Sequence, residues 1–449
     1  MKTLFYPALL GATALASPAL AQDHSGHEGH DMGSMQMPPP AAPPAHDHSS
    51  MNHGQTDPEE DPGVPCLSGS RIPPRSSEGS GTARLPGNEG GMRGLHLMSG
   101  DWMLMVHGNV SLQYTDHKGP RGDDKVYATS MAMLSVQRDT DWGKVQLKSM
   151  FSLEPAMDPS GYPNLFATGE TAHGLPIVDR QHPHDFFMEL AARVDVNAGP
   201  GSLFLYGGPV GEPALGPSAF MHRGSARNNP EPPITHHWFD STHITYGVVT
   251  LGFSARKWQV EVSAFRGAEP DEQRWGIETP KLNSWSVRAT VNPSPAWSLQ
   301  ASYGQIKEPE ATHPGEDEKR FTTSAHYDSG RGLSAMAALS AKQRGHHGET
   351  STAWLGEVNW DIDRHNSLFG RIENVKNDEL FPDHLDPLHD TPFRVTKFQA
   401  GYARHVPLGP VDLTLGGSLN AYAKPAALDA AYGNNPWGYT MFAKLSLGN

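Results

Sequence analysis

The fold is decided by stretches such as residues 102–115, WMLMVHGNVSLQYT. Apolar side chains alternate there with polar or methionine side chains, which is typical of a β-strand whose two faces meet different surroundings. Similar stretches of about ten residues recur to the end of the chain, as in transmembrane β-barrels. We identify sixteen of them, near residues 101–115, 123–137, 143–154, 186–197, 201–207, 241–254, 257–266, 284–292, 296–306, 319–328, 331–343, 351–361, 366–376, 393–404, 411–422 and 437–448.

The lengths of the connections support a membrane barrel. Short connections such as 139–142 and 198–200 alternate with long ones such as 155–185 and 208–240. Outer-membrane barrels have short periplasmic turns and longer outer loops. A soluble all-β protein explains the alternation within strands but gives no reason for this regular alternation of loop length. We therefore predict an all-β, antiparallel, up-and-down transmembrane barrel of about 16 strands over residues 96–449.

Tryptophan positions agree with this prediction, because an aromatic girdle marks each membrane interface of such a barrel. The tryptophans near the ends of proposed strands are Trp102, Trp142, Trp258, Trp285, Trp297, Trp354, Trp360 and Trp437.

The first 95 residues have a different character. Residues 1–21 have the pattern of a signal peptide, with Lys2, a short apolar stretch and a small-residue cleavage site. Residues 22–95 are rich in proline, glycine, serine, histidine and methionine, and we predict that they are disordered. The expected location is the Gram-negative outer membrane, with the barrel in lipid and the N-terminal tail in the periplasm.

Charge and motifs exclude several function classes. The formal net charge is −14, whereas a nucleic-acid-binding face is basic, so we expect no nucleic-acid partner. The sequence lacks the G-x-S-x-G, phosphate-loop and H-E-x-x-H patterns, and we expect no enzymatic activity.

The tail is instead rich in metal ligands. Imidazole suits oxidised copper, zinc and nickel, and the methionine thioether suits reduced copper. The candidate tail ligands are His24, His27, His30, Met32, Met35, Met37, His46, His48, Met51 and His53.

Three short elements of the tail carry a family resemblance. They are Asp23-His24-Ser25, Asp47-His48-Ser49 and Met51-Asn52-His53-Gly54. A secreted barrel preceded by such elements resembles the outer-membrane copper-resistance B group. The resemblance implies periplasmic copper binding and a role in copper tolerance or efflux, with periplasmic copper carriers as candidate partners. It covers the tail and the general architecture, and the barrel of that group is typically smaller.

The strand alternation also predicts which side chains face the lumen. If the apolar set faces lipid, six candidate ligands on the first three strands point inward: Met103, Met105, His107, Met131, Met133 and Met150. The same rule turns His326 and Met336 inward. One interpretation is a track of weak, exchangeable thioether ligands. The other is that the methionines pack beneath an inward-folded loop or the tail. A shift of one residue in register would place all of them in lipid.

The long loops add imidazoles and carboxylates. His182 and His184 lie between Asp179 and Asp185 and are the best candidate loop ligands. We expect the other loop histidines, such as His236 and His237, to be solvated. Charged residues near the lumen are expected to form a salt-bridged plug or an ordinary pore lining: Arg180, Glu189, Arg193, Asp195, Arg288, Glu357, Arg371 and Glu373.

Three hypotheses about function follow. The first is an outer-membrane barrel that binds and transports copper, with zinc or nickel as alternative ions. The second is a general solute porin with an incidental metal-binding tail. The third is a surface barrel that uses its long loops for binding or adhesion.

Overall fold

The computed structural model describes residues 76–345 and 348–448, and among these residues sixteen antiparallel strands close into a barrel. The strands are β1 (Trp102–Lys118), β2 (Asp124–Thr140), β3 (Gly143–Phe151), β4 (Phe187–Ala198), β5 (Gly201–Gly211), β6 (Thr245–Ala255), β7 (Trp258–Phe265), β8 (Ser284–Val291), β9 (Trp297–Ile306), β10 (Glu318–Asp328), β11 (Leu333–Arg344), β12 (Thr350–Asp363), β13 (Asn366–Asn377), β14 (Phe393–Leu408), β15 (Val411–Ala423) and β16 (Trp437–Leu447). Each pairs with its neighbours in the chain, and β16 closes the barrel against β1. The predicted fold, strand number and alternation of loop length are confirmed.

The barrel has no open edge where it closes. The first part of β1, Trp102–Val106, pairs with a short strand, Leu95–Ser99, and the rest pairs with β16. Both partners lie on the same side of β1, so together they satisfy its backbone groups. A lipid-embedded barrel needs this because hydrocarbon cannot satisfy an exposed strand edge.

The predicted register is confirmed. In β1, Val110 and Leu112 are exposed at 54% and 56%, whereas Ser111 and Gln113 between them are buried. The exterior is therefore an apolar surface suited to lipid, and the polar set faces inward. Seven of the eight girdle tryptophans are exposed and Trp354 is half-buried. Within the described residues, no helix is long and apolar enough to cross a membrane.

The lumen is filled by a long loop, residues 212–244, which we call the inserted loop. Most of its side chains are buried. It contains three single 3-10 turns, Phe220–His222, Gly224–Ala226 and Ser241–His243, and one short helix, α1 (His236–Phe239).

A second segment also enters the barrel, and it corrects the predicted disorder of residues 22–95. Residues 76–94, which we call the N-terminal segment, contain two short paired strands, Ser76–Glu78 and Arg84–Pro86, and a 3-10 turn, Gly87–Glu89. Gln259 of β7 donates to the Thr82 carbonyl at 2.8 Å, and Ser298 of β9 donates to the Arg84 carbonyl at 2.9 Å. The disorder prediction is therefore wrong for residues 76–95. Residues 1–75, including the predicted signal peptide, lie outside the described part.

The remaining long loops carry small elements of their own. They are the 3-10 turns Glu154–Ala156 and Ala426–Leu428, the helix α2 (Asp429–Tyr432), and the strand pairs Tyr162–Pro163 with Arg180–Gln181 and Glu170–Ala172 with Leu175–Ile177. Side chains such as Phe166, Trp238 and Tyr432 form one apolar cluster with residues of the wall. This burial of apolar surface holds the loops inward.

Buried ion pairs fix the inserted loop to the wall. Arg223 of the loop donates to Glu357 of β12 at 2.7 Å, and Arg371 of β13 donates to the same carboxylate at 3.1 Å. Further along the loop, Glu231 accepts a 2.8 Å hydrogen bond from Lys397 of β14. The predicted salt-bridged plug is confirmed for Glu357 and Arg371, and Arg223, Glu231 and Lys397 are members of it that the sequence analysis did not name.

Candidate metal-binding site in the lumen

The inward-facing methionines form a compact group that we call the methionine cluster. It comprises Met105 of β1, Met131 and Met133 of β2, Met150 of β3 and Met188 of β4, each at most 7% exposed. Met92 of the N-terminal segment and Met221 of the inserted loop pack against it. The predicted inward orientation is confirmed, and the cluster lies beneath inserted chain as the packing interpretation predicts.

One predicted wall ligand, Met103, stands apart from this cluster, whereas His107 lies directly opposite Met133 of β2. Met103 is half-buried and lies opposite Met98 at the end of the barrel where the short turns are. His107 faces the lumen, and its Nδ1 has no hydrogen-bond partner within the described residues. On the far wall, His326 and Met336 are buried opposite each other, as predicted.

Five buried histidines from two loops converge beside the methionines, and we call them the histidine group. They are His182 and His184 of loop 152–186, and His236, His237 and His243 of the inserted loop. Ring centroids are 5.6 Å apart for His184 and His243, and 5.1 Å apart for His236 and His243.

The prediction that His236 and His237 are solvated is wrong, because the inserted loop carries α1 into the barrel. The sequence contains the adjacent pair His236–His237 and the nearby His243. Whether these rings are buried or solvated depends on which way the loop folds, and the sequence does not specify that.

Three of these rings are held by the same kind of contact. Nδ1 of His184 lies 2.9 Å from a Glu154 carboxylate oxygen. Nδ1 of His236 lies 2.8 Å from a carboxylate oxygen of Asp240, and Nδ1 of His243 lies 2.7 Å from the Asp240 carbonyl oxygen. With the proton on Nδ1, each ring keeps a lone pair on Nε2, and this orientation by an outer carboxylate or carbonyl is typical of metal-ligating histidine.

The charge state of three of the five rings suits a cation, whereas burial opposes charge on His237 but the neighbouring Glu269 and Glu310 raise its pKa well above the ordinary histidine range. Burial lowers the pKa of His182 and His243 well below the ordinary histidine range, and it lowers that of His236 against the opposing effect of Asp240. Burial also opposes charge on His184, but the neighbouring Glu154 raises the pKa of that ring. Three neutral imidazoles are therefore available as ligands, because a metal ion binds the deprotonated nitrogen.

Carboxylates border one side of the histidine group. His182 Nε2 lies 3.0 Å from Glu170 Oε1, and His237 Nδ1 lies 3.4 Å from Glu269 Oε1. One ligand atom from each of Glu170, His182 and His237 can be chosen so that all three lie within 4.8 Å of one another.

A second set with similar spacing is Glu310, His313 and Glu379. Its carboxylates are already paired: Glu310 with Lys342 at 3.0 Å and Glu379 with Arg344 at 3.0 Å. These cations compete with a metal ion, so this set is the poorer candidate.

Two cavities are lined by members of these groups. A large cavity of about 470 Å³ lies at the short-turn end, and its lining includes Met92, His107, Met221 and His222. A small chamber of about 10 Å³ is lined by Met150, Met188, His222 and His243 among others. His222 lines both cavities, and the Nε2 atoms of His222 and His243 have no hydrogen-bond partner among the described residues. The chamber has about the volume that one water-sized probe occupies.

Several predicted ligands fall outside the described residues. These are His24, His27, His30, Met32, Met35, Met37, His46, His48, Met51 and His53. The pair His346–His347 also lies outside them. His384 and His389 contact each other on an exposed loop with Nδ1 and Nε2 2.8 Å apart, away from the histidine group.

Comparison with known proteins gives the fold its context. No protein-family model and no curated protein sequence matches the chain. Among solved structures, Salmonella typhi OmpF in complex with daunomycin superposes with a TM-score of 0.50 at 8% identity, over 78% of this chain and 100% of that one. The chain has the architecture of an outer-membrane porin. At this identity the likeness concerns the fold alone.

Two further porin-type structures are similar in coverage. Pseudomonas putida OprB matches at 10% identity with a TM-score of 0.47, over 77% of this chain and 94% of that one. The outer-membrane channel DcaP of Acinetobacter baumannii matches at 11% identity with a TM-score of 0.44, over 79% of this chain and 100% of that one.

Proposed function

We propose that this chain is an outer-membrane barrel that binds copper ions inside an occluded lumen and moves them, thereby contributing to copper resistance or homeostasis. The observation that carries the proposal is the position of the histidine group beside the methionine cluster. Borderline and soft ligands lie together inside one barrel, and they match the two oxidation states of copper.

The occluded lumen favours stepwise binding over free diffusion. A general porin leaves a water-filled channel, whereas the described lumen is crossed by the inserted loop and the N-terminal segment. Burial of Arg223 and Glu357 removes water from the pair that holds the loop. An ion that passes through must therefore exchange between protein ligands, and such sites must bind weakly enough to release it.

The ligands form a plausible series of such sites. His107 and Met221 line the large cavity, His222 separates it from the chamber, and His243 leads from the chamber to the other histidines. Short turns face the periplasm in outer-membrane barrels. The large cavity would then open to the periplasm, where the tail ligands and periplasmic copper carriers would supply copper.

The porin fold is the observation that favours the second candidate, a solute channel with an incidental tail. A solute channel would require the inserted loop to leave the lumen, or to let solutes pass beside the ion pairs that hold the loop to the wall. The surface-binding hypothesis has less support, because loops 152–186 and 212–244 bury most of their side chains inside the barrel.

The decisive experiment measures copper movement into liposomes that contain the purified full chain. We would replace Met105, Met133 and Met150 together by leucine, which keeps their volume and removes the thioether. The matched control is Met441→Leu, because Met441 is 53% exposed on the outer face of β16. We expect copper flux to fall to the level of empty liposomes in the triple variant and to stay unchanged in the control.

Two outcomes would contradict the proposal. One is unchanged copper flux and copper content in the triple variant. The other is a steady conductance in planar bilayers that copper does not alter, which would support the solute porin.

A further inference from the structure

We infer that Glu170, His182 and His237 form one site for a divalent ion of the zinc or cupric class, distinct from the methionine cluster. The inference rests on the proposed function only in treating the lumen as a metal-binding compartment. Its ligands come from loop 152–186 and the inserted loop, and Glu269 of loop 266–283 lies beside them. The ion would therefore tie two separate loops together.

Unsatisfied polar atoms mark the position. His182 Nε2, His237 Nδ1 and Glu269 Oε1 are buried, and none makes a hydrogen bond of good geometry among the described residues, although His182 Nε2 lies 3.0 Å from Glu170 Oε1 and His237 Nδ1 lies 3.4 Å from Glu269 Oε1. Buried polar atoms are nearly always satisfied, and a bound ion is one accepted explanation when they are not. A cation held by Glu170, His182 and His237 would supply a partner of this kind.

The spacing is suitable for one ion. Ligand atoms of Glu170, His182 and His237 lie within 4.8 Å of one another. Zinc ligands lie about 2.0 to 2.2 Å from the metal, so small side-chain movements would complete the coordination. Three protein ligands leave a fourth position for water or an incoming group, which suits an exchangeable ion.

The donor atoms decide the class of ion. Two imidazoles and a carboxylate suit zinc and cupric ions, whereas cuprous copper prefers thioether or thiolate sulfur. No sulfur atom belongs to this ligand set. Arg274 pairs with the other oxygen of Glu170 at 3.2 Å and leaves Oε1 directed at His182.

The backbone at Gly169 lies very close to the ring of one ligand, His237. A Cβ at Gly169 would lie 2.6 to 2.7 Å from the His237 ring, and Gly169 has φ +107°. Only glycine lets the imidazole approach the chain this closely. Gly169→Ala should therefore displace His237 without removing any ligand.

The test uses the full chain, purified in detergent and equilibrated with zinc chloride. Zinc content after dialysis is compared for the wild type, His182→Ala, Glu170→Gln and Gly169→Ala. His384→Ala is the control, since it removes an imidazole from an exposed loop. The tail is identical in every variant, so its zinc cancels in the comparison. Anomalous scattering at the zinc edge from crystals of the wild type locates the ion directly.

We expect each of the three site variants to lose about one bound zinc or to bind it at least tenfold more weakly, in line with the loss of a ligand or its support. The control should match the wild type. Heat-modifiable migration on gels verifies that each variant still forms the barrel. Zinc content equal to that of the wild type in all three variants would overturn the inference, as would an anomalous peak elsewhere in the lumen.

A cuprous titration separates this inference from the proposed function. We expect the triple methionine-to-leucine variant to lower cuprous binding and to keep the zinc, because no methionine belongs to this ligand set. Zinc bound here together with copper flux in the wild type would sustain both statements. Zinc bound here without copper flux would sustain the inference and refute the proposed function.

Discussion

Arg223 of the inserted loop donates from Nε to Glu357 of β12 at 2.7 Å, and both side chains are at most 1% exposed. Glu357 also accepts from Arg371 of β13, and Arg223 has a second carboxylate partner in Asp240 at 3.2 Å, so two carboxylates face two buried guanidinium groups. A charge buried this deeply is tolerated only when it is paired. The pair therefore connects the position of the loop to the stability of the barrel.

Glu357→Gln should loosen the inserted loop. The substitution removes the charge that Arg371 and Arg223 share and leaves Arg223 with Asp240 alone, and breaking a buried pair typically costs about 3–5 kcal/mol. We expect a lower midpoint of urea unfolding and the appearance of ion conductance in planar bilayers. Asp101→Asn is the control, because its pair with Arg138 is exposed and should contribute about 0–1 kcal/mol. Unaltered stability and conductance in Glu357→Gln would show that the pair does not hold the loop.

The N-terminal segment should be protected from trypsin. Arg84 donates to Ser254 Oγ at 2.6 Å and to the Ala255 carbonyl at 2.7 Å, and Ala83 and Leu85 beside it are buried. We expect no cleavage after Arg84 in the folded barrel and rapid cleavage there in protein unfolded by urea, as read by mass spectrometry. Equal cleavage in both states would mean that the segment does not reside in the lumen.

Asp240 should control copper affinity through the rings it holds. Its carboxylate accepts from His236 and its carbonyl accepts from His243. Asp240→Asn keeps the shape but removes the charge, and loss of such an outer-shell group typically weakens metal binding by about 10- to 100-fold. Competition with a copper chelator measures the change. The exposed His389–Asp390 pair provides the control, Asp390→Asn, which should bind copper as the wild type does.

Loop 152–186 should be more stable at pH 5 than at pH 7. Burial raises the pKa of Asp179 to about 6, against the hydrogen bond it accepts from the Phe166 amide. The folded state therefore holds the proton more tightly than the unfolded chain. The resulting stabilisation is complete below the ordinary pKa of 3.8 and is lost as the pH rises through about 6.

Hydrogen exchange at the Phe166 amide tests this after correction for the intrinsic pH dependence of exchange. We expect greater protection at pH 5 than at pH 7 in the wild type, and a smaller difference in Asp179→Asn. Equal protection at both pH values in the wild type would contradict the expected linkage.

The strands and their inward faces could be read from the sequence. In β1, the apolar positions Val110 and Leu112 alternate with Ser111 and Gln113, and lipid on one side of the wall makes that alternation obligatory. The same rule placed Met105, Met131, Met133 and Met150 in the lumen. Local periodicity carries this information because each residue's face depends only on its position along its own strand.

The histidine group could be predicted only in part. His182 and His184 are two residues apart, and their spacing marks them as a pair. His243 is about sixty positions further along the chain and meets His184 only because the inserted loop turns into the barrel. The ordered N-terminal segment was missed for a similar reason, since its composition resembles that of a disordered tail while its partners lie on β7 to β9 and other strands of the wall.

The sequence by itself therefore determined the barrel, its register and the sulfur-rich wall, because strand periodicity and the contrast between lipid and lumen are local properties. Only the tertiary structure decided that the lumen is filled and that five histidines meet beside that wall. These features depend on which distant charges find each other, as Arg223 and Glu357 do across 134 residues. A buried charge is tolerated only when it is paired, and no local pattern in the sequence specifies which distant charges pair.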